Sequence, residues 1–547
     1  MTHPNPSTAL ARVVIDELAK LGVRLVVMAP GSRSGALAIA AVGHREIETR
    51  VFIDERSAGF HGLGASRASG RPVAVVSTSG SAPAHLLPAI LEADMSCVPL
   101  VCISADRPAE MQGVGANQTI DQAHLFGGKV RDYAGVEAPE ASVDRNVEWR
   151  ATVARVLASA TGRHPGPVHL NIRFREPTVP VTDDGRTTGV EYPFPTPRIG
   201  NGQTRVGEES RDTYSPILEA TRGLVIAGDG DYDREALMAR AEDLGWPVLA
   251  TAVSRARGGS TVSTYHHLLA QGVPDELRPE TVVAVGAIGP SSRLEDLVAS
   301  ASRRLRIDRW GRTIDPYRNA TDVIEGDVND VLTMVTGKAD PDWRARWAHA
   351  DERRRARLEQ LIEGNDRMSG AAVAVALNDV EWGSLVVASS LPIREVDAHL
   401  TRPGPVHANR GVSGIDGFVS TALGVAAVRE MTLAVAGDLS LLHDSNGFLN
   451  DCRIDLTIVV VDNGGGGLFD SLPQARHSPD YERLFVTPPH RSLAAFADFH
   501  GLRYQEATSS NSLQRMCREA LRREGLDLVR VPVDREFDLK VRTQLDQ

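Results

Sequence analysis

Short apolar runs recur along this chain, each closed by a polar or glycine-containing turn. In the first third, Leu25–Ala29, Val73–Val76 and Pro99–Ser104 have this form and alternate with longer helical stretches. Runs that are apolar throughout, rather than alternating, fit parallel strands covered on both faces, so the pattern predicts βαβ units. It returns at Leu224–Ala227, Val248–Thr251, Thr281–Val285 and Leu305–Ile307, and again at Leu433–Ala436 and Leu456–Val461. The expectation is an α/β protein of three domains, each a mostly parallel sheet flanked by helices. The boundaries fall at 1–180, 213–340 and 368–547. Residues 181–212 lack periodicity and include Tyr192-Pro193-Phe194-Pro195-Thr196-Pro197, which reads as a linker. Residues 341–367 are dense in arginine with acidic residues interleaved, which reads as a solvated connecting helix and not a nucleic-acid surface.

Composition narrows the class. At 547 residues, 42% hydrophobic and 24% charged, the chain is an ordinary globular protein too long for one core. Its net charge of −11 argues against nucleic acid or an anionic membrane as partner. An anionic substrate would therefore have to be captured by local cations. No run qualifies as a membrane span, since Pro72–Leu91 is broken by Ser79, Gly80, Pro83 and His85. The N-terminus has no basic and apolar leader pattern, which makes a cytoplasmic address the expectation. Cys97, Cys102, Cys452 and Cys517 form no CxxC pair and read as small buried hydrophobes.

The candidate chemistry begins at Gly437-Asp438-Leu439-Ser440, which follows one apolar run. Asn463 follows another, in Val461-Asp462-Asn463-Gly464-Gly465-Gly466-Gly467. Each is a strand end that delivers an oxygen and then turns, and adjacent strand ends form the crevice where open α/β sheets bind ligands. The Asp438 carboxylate, the Asn463 amide oxygen and a backbone carbonyl at Gly465 suit Mg²⁺, a hard ion usually shared with phosphates. Either half alone is more often an ordinary turn; the pair is not. A second Gly-Asp-Gly, at Gly228-Asp229-Gly230, has no asparagine or glycine cluster at the matching distance and reads as a simple strand-to-helix turn.

The Asp438–Asn463 spacing resembles the diphosphate-binding signature of thiamine-diphosphate enzymes. Such enzymes need a carboxyl group at the cofactor's aminopyrimidine, and Glu55 in Ile53-Asp54-Glu55-Arg56 fits if it is desolvated enough to hold a proton. The resemblance extends further. Pro30-Gly31-Ser32-Arg33-Ser34, Asp54-Glu55-Arg56-Ser57-Ala58, Thr78-Ser79-Gly80-Ser81-Ala82, Ser104-Ala105-Asp106-Arg107-Pro108, Gly115-Ala116-Asn117-Gln118 and Asn409-Arg410-Gly411-Val412-Ser413-Gly414-Ile415 occur in order. With the metal motif, they resemble the 2-succinyl-5-enolpyruvyl-6-hydroxy-3-cyclohexene-1-carboxylate synthase family of menaquinone biosynthesis.

That resemblance implies a three-domain thiamine-diphosphate-enzyme fold with Mg²⁺, or Mn²⁺ in its place. It implies the joining of 2-oxoglutarate to isochorismate with loss of CO₂, in a homodimer or homotetramer with shared sites. By the same resemblance Ser390, Arg394 and Arg410 face the 2-oxoglutarate part. Ser32, Arg33, Arg107, Asn117 and Gln118 receive isochorismate. Gly80, Ile415, Gly437, Leu439 and Ser440 hold the cofactor, and Leu468, Phe469 and Leu472 form a dry wall. The family often carries a lysine in its central domain, for which Arg293 is the nearest counterpart here. Two other readings stay open: a related carboligase acting on pyruvate, which has a single carboxylate, and a catalytically silent scaffold.

Overall fold

Runs that are apolar throughout become strands buried at every position, as at β1 (Leu25–Met28), β3 (Val73–Ser77) and β4 (Leu100–Asp106). The computed structural model of the chain describes residues 5–138, 143–179, 220–289, 291–333, 338–362, 367–450 and 453–547. The expected linker at 181–212 and Cys452 lie outside the described residues. Among those residues the strands form three sheets. The first has the order β2 (Glu48–Val51), β1, β3, β4, β6 (Val168–Arg173), β5 (Tyr133–Glu137), paired in parallel. The second is also parallel: β11 (Asp322–Glu325), β10 (Arg303–Asp308), β9 (Thr281–Val285), β7 (Gly223–Ala227), β8 (Val248–Ala250). The third runs β13 (Val406–His407), β12 (Ser384–Val387), β14 (Thr432–Gly437), β15 (Leu456–Asp462), β17 (Leu526–Pro532), β16 (Arg503–Glu506). No described helix is long and apolar enough to cross a membrane.

The chain forms two compact units that do not follow the linear domain order. One comprises Met1–Asn201, Asn409–Glu430 and Ser440–Leu456; the other comprises Gly202–Ala408, Met431–Leu439 and Thr457–Gln547. In the first unit, the Asp54 side chain caps the helix Glu55–Ser69 by accepting from Arg56 N at 2.8 Å. That helix packs backbone to backbone on the helix Phe418–Ala426. A Cβ at Gly64 would lie 2.2 Å from the Thr421 carbonyl oxygen, and one at Gly424 would lie 2.1 Å from that of His61. Only glycine permits this approach.

Nearby, fully buried Glu92 accepts from Arg67 (2.9 Å), Ser96 Oγ (2.8 Å), Gly411 N (2.9 Å) and Val412 N (2.8 Å). One carboxylate thus fastens the segment that carries Arg410 and Ile415.

In the second unit, the helix Trp343–Ile362 corrects the expectation of a merely solvated connector. Trp343 and Trp347 are fully buried, cross edge-on at 6.2 Å, and pack in a core with Leu224, Ile226 and Leu294. Trp343 Nε1 donates to the Gly223 carbonyl at 2.7 Å. The two indoles sit four residues apart on one helix face, and their bulk outweighs the small number of apolar residues.

Arg257, 2% exposed, donates to the carbonyls of Ala250 (2.7 Å), Asp397 (2.7 Å) and Leu400 (2.6 Å) and to the Asp397 carboxylate (3.1 Å). Asp397 also meets Tyr265 Oη at 2.7 Å, His266 Nε2 at 2.6 Å and Ala252 N at 2.5 Å. Burial works against this carboxylate, yet His266 and Arg257 hold its carboxyl well below the usual range. The pair ties β8 to the helix Leu391–His399.

Breaking such a pair from one side strands the other charge. Asp397→Ala is expected to lower the unfolding free energy by ~3–5 kcal/mol in urea titrations at pH 7. Because the folded-state pKa is depressed, the stabilisation is present above the ordinary carboxylate range and lost as pH falls through the folded value. The gap to wild type should therefore be full above that range and narrow progressively as pH falls through and below it.

Candidate active site

The C-terminal ends of β14 and β15, neighbours in the third sheet, bring Asp438 and Asn463 to one edge. Asp438 is 2% exposed; its Oδ1 accepts from Leu439 N at 2.8 Å, while Oδ2 has no hydrogen-bond partner. Asn463 Oδ1 is likewise enclosed and unpartnered. Burial pushes the Asp438 carboxyl up to about 7, and the neighbouring Asp462 charge adds to it, against the N–H groups of Leu439 and Gly465. Asp462 itself is engaged by Arg530 Nε at 2.6 Å. Buried oxygens without donors are costly, and a divalent cation satisfies both at once. These residues fit Mg²⁺.

The glycine run after Asn463 is required sterically. Gly464 and Gly465 adopt φ of +74° and +127°, and a Cβ on Gly465 would lie 2.2 Å from the Val486 carbonyl oxygen. The Gly465 carbonyl accepts from Gly467 N at 2.9 Å and keeps a second lone pair. Beside Asn463 opens a cleft of about 740 Å³ whose lining includes Arg530, His490 and Arg491.

Elsewhere in the second unit, Ser390 holds φ +75°, strained for a non-glycine residue, at the head of the helix Leu391–His399. Arg394, one turn on, is exposed and donates to the Ser390 carbonyl at 2.5 Å. Leu468 and Phe469 are half-buried on the turn Gly467–Ser471, and Leu472 is 36% exposed; they form no dry wall within the chain itself. Arg293 is engaged structurally. It pairs with Asp546 at 2.6 and 3.0 Å and donates to the His266 carbonyl at 2.6 Å, so its guanidinium is committed to the C-terminal helix.

The first unit gathers the other set. Ser32 is exposed while Arg33 is 9% exposed, donating to the Phe174 carbonyl at 3.0 Å and pairing with Glu176 at 3.1 Å. Gly31 allows this loop against Thr78, whose Cβ would lie 2.2 Å from an added Cβ. Arg107, also 9% exposed, donates to Ser79 Oγ; burial and the Arg33 charge lower its pKa. Exposed Gln118, at φ +55°, donates to the Ser79 carbonyl at 2.9 Å, with Asn117 exposed beside it. Two sunken guanidiniums beneath a rim of polar side chains have the chemistry to bind carboxylate, a place that Glu176 takes at Arg33 in this chain.

Glu55 opens the helix Glu55–Ser69 and is half-buried, not desolvated, in this chain; β2 ends at Val51, and Ile53 beside Glu55 is 70% exposed. Arg410 and Ile415 are half-buried on the segment held by Glu92, and Ser440 is buried. Sequence reasoning missed Glu92, whose only signal is an acidic residue inside the apolar helix Leu87–Met95.

The strand end at Asp229 is closed. Asp229 N donates to the Ala287 carbonyl at 2.8 Å, and Ala287 N returns the bond at 2.9 Å. A Cβ at Gly228 would lie 2.3 Å from that carbonyl oxygen, so its glycine serves close backbone packing.

Comparison with known proteins adds the family. Profiles for thiamine pyrophosphate enzymes match residues 8–125 (N-terminal TPP binding domain), 206–384 (middle domain) and 395–531 (C-terminal TPP binding domain). The chain is similar to a synthase of Thermobifida fusca, 42% identical with 99% of each chain covered. It is 39% identical to one of Saccharopolyspora erythraea, covering 97% of this chain and 96% of that protein. Halobacterium salinarum has one at 35%, covering 100% and 98%. All three are 2-succinyl-5-enolpyruvyl-6-hydroxy-3-cyclohexene-1-carboxylate synthases. Among solved structures, the benzoylformate decarboxylase of Polynucleobacter necessarius shares the fold, with a TM-score of 0.69 at 17% identity over 96% of this chain and 98% of that one. From full-length identities of 35–42% and three matching profiles, the chain belongs to the thiamine-diphosphate-dependent 2-succinyl-5-enolpyruvyl-6-hydroxy-3-cyclohexene-1-carboxylate synthase family.

Proposed function

We propose that this carboligase takes 2-oxoglutarate as donor and isochorismate as acceptor, using thiamine diphosphate anchored through Mg²⁺, with Mn²⁺ an alternative of the same ligand chemistry. The observation that carries the reading is the pair of enclosed, donorless oxygens on Asp438 and Asn463 in a member of this family. Thiamine diphosphate, when bound, supplies the carbanion-stabilising chemistry that decarboxylation of a 2-oxo acid and transfer of its remaining carbons require.

The chain's own residues supply charge and position. Asp438, Asn463 and the Gly465 carbonyl hold the metal, and Gly437, Leu439, Ser440, Gly80 and Ile415 border the cofactor. Glu55 holds and exchanges a proton at its carboxyl oxygen. Its half-exposed setting calls for covering by the cofactor and a second copy of the chain. Arg33 and Arg107, with Ser32, Asn117 and Gln118, receive the acceptor's carboxylates. Ser390, Arg394 and Arg410 receive the donor's distal carboxylate, and Leu468, Phe469 and Leu472 exclude water once covered. Arg293 is left out of this set because Asp546 and His266 occupy it. A cytoplasmic, self-associating enzyme completes the reading.

The deciding experiment is turnover of 2-oxoglutarate with isochorismate, with and without thiamine diphosphate; a preference for pyruvate would overturn the substrate assignment. Asp438→Asn is expected to weaken Mg²⁺ binding in calorimetric titrations by about tenfold or more, since a neutral amide replaces the one charged ligand. Glu55→Gln should retain cofactor and metal binding while turnover drops by about 10²–10⁴-fold. For Arg394→Ala, the apparent KM for 2-oxoglutarate should rise about tenfold or more with that for isochorismate unchanged. An unaltered value would remove Arg394 from the donor site.

A further inference from the structure

Beneath the Arg33–Arg107 receptacle lies a buried polar chain with a fixed direction. Gln122 is 1% exposed, and Asn171 on β6 is fully buried. The direction is set at Asp106, a carboxylate that can only accept. Its Oδ2 takes a hydrogen bond from Asn171 Nδ2 at 2.9 Å, so the Asn171 oxygen must point the other way. That oxygen accepts from Gln122 Nε2 at 2.9 Å and from Ser104 Oγ at 2.7 Å. Ser104 Oγ, having donated its proton, accepts from His169 Nε2 at 2.7 Å. Burial pushes His169 down to about 3, which keeps this ring neutral. Gln122 Nε2 also reaches the Ala105 carbonyl at 3.3 Å, and its Oε1 is left to accept from Gly80 N at 3.1 Å.

Both free ends of this chain touch the acceptor receptacle. At one end, Gly80 sits at φ +81°, with Gln118 so close that an added Cβ would lie 2.7 Å from Gln118 Cγ. Its neighbour Ser79 anchors both Arg107 and Gln118. At the other end, Asp106 Oδ1 accepts from Arg107 N at 2.7 Å and from Gln112 Nε2 at 3.0 Å. Gln122 itself has no exposed surface from which to touch a substrate.

We infer that Gln122, acting through Asn171 and Asp106, is a positioning residue for the acceptor site: it holds the Ser79–Gly80 turn in the one orientation that presents Arg107 and Gln118 together. This rests on the reading of that receptacle as the isochorismate site. The hydrogen-bond direction makes the role testable by reversal. In Gln122→Glu, a carboxylate faces the Asn171 oxygen and the Ala105 carbonyl with no proton between them. Asn171 cannot turn over to help, because its oxygen would then face Asp106. In Asp106→Asn, the amide forces Asn171 and then Gln122 to turn, which sets the Gln122 NH₂ against Gly80 N–H. Combined, the two changes agree at every contact but one: the Ala105 carbonyl, whose 3.3 Å hydrogen bond is the longest in the polar chain, stays without its donor. The new amide at position 106 donates to a turned Asn171, and Asn171 donates to the new carboxylate at position 122. That carboxylate still accepts from Gly80 N–H. The buried charge has moved from one end of the chain to the other.

The test is steady-state kinetics on the full-length, cofactor-loaded enzyme with both substrates varied, together with single-turnover CO₂ release from 2-oxoglutarate without acceptor. Each single variant is expected to raise the KM for isochorismate by about tenfold or more, while CO₂ release, which Gly80 touches only through the cofactor border, falls by less than about threefold. The double variant should return to within about threefold of wild type. Additive damage in the double variant, an unchanged KM for isochorismate, or CO₂ release that falls in step with it would each overturn the inference. If Gln122→Glu does not fold, Gln122→Met removes both hydrogen-bonding ends at similar volume and carries the same expectation for KM and CO₂ release. Should the wild-type chain itself not consume isochorismate, the functional reading fails first and this inference falls with it.

Discussion

A carboxylate cannot be left alone in a protein interior, and the third sheet is arranged around one that is. Asp438 is buried with one oxygen unsatisfied, and Asn463 presents a second unsatisfied oxygen from the next strand. The nearest acidic neighbour, Asp462, is diverted to Arg530, so the surplus acceptor capacity is concentrated at one point. In the turn that follows, Gly465 passes against the Val486 carbonyl and Gly466 against that of Phe485 too closely for any side chain. Removing the demand for a cation would make this geometry a liability; supplying the cation makes it a socket.

Much of this is legible in the residues. Apolar runs ending in glycine locate the strands, and the distance from Asp438 to Asn463 locates the sheet edge where the two unsatisfied oxygens sit, because both signals are local. Arg33, Arg107 and Gln118 are legible as a set through motif order; the structure ties Arg107 and Gln118 to Ser79 and sets the Arg33 charge near Arg107. The engagement of Arg293 is not legible, because its partner, Asp546, lies 253 residues away, and a pairing at that distance leaves no local trace. In the helix Trp343–Ile362, charge density conceals two indoles on one face. The half-exposure of Glu55 is unreadable for another reason: burial depends on how the chain packs around it, and Ile53 beside it stays exposed.

The two Gly-Asp strand ends of the second unit show how one short motif serves two purposes. At Asp229 a returning loop pairs with the backbone through Ala287, and glycine is needed for that contact. At Gly437 nothing stands within 4 Å of an added Cβ, and the acidic residue after it keeps an oxygen free. What distinguishes a cradle from a plugged turn is whether the backbone polar groups at the strand end have already found each other.

The backbone contact between the helices Glu55–Ser69 and Phe418–Ala426 has a consequence for how the chain is made. The first unit draws on Met1–Asn201 but is completed only by Asn409–Glu430 and Ser440–Leu456. During synthesis, the glycine face of the earlier helix waits uncovered while the ribosome makes the intervening stretch. Contacts so distant in sequence are slow to close. The early-emerging segment is therefore the part of this protein that most needs shielding in the cell, and Glu55 opens that same helix.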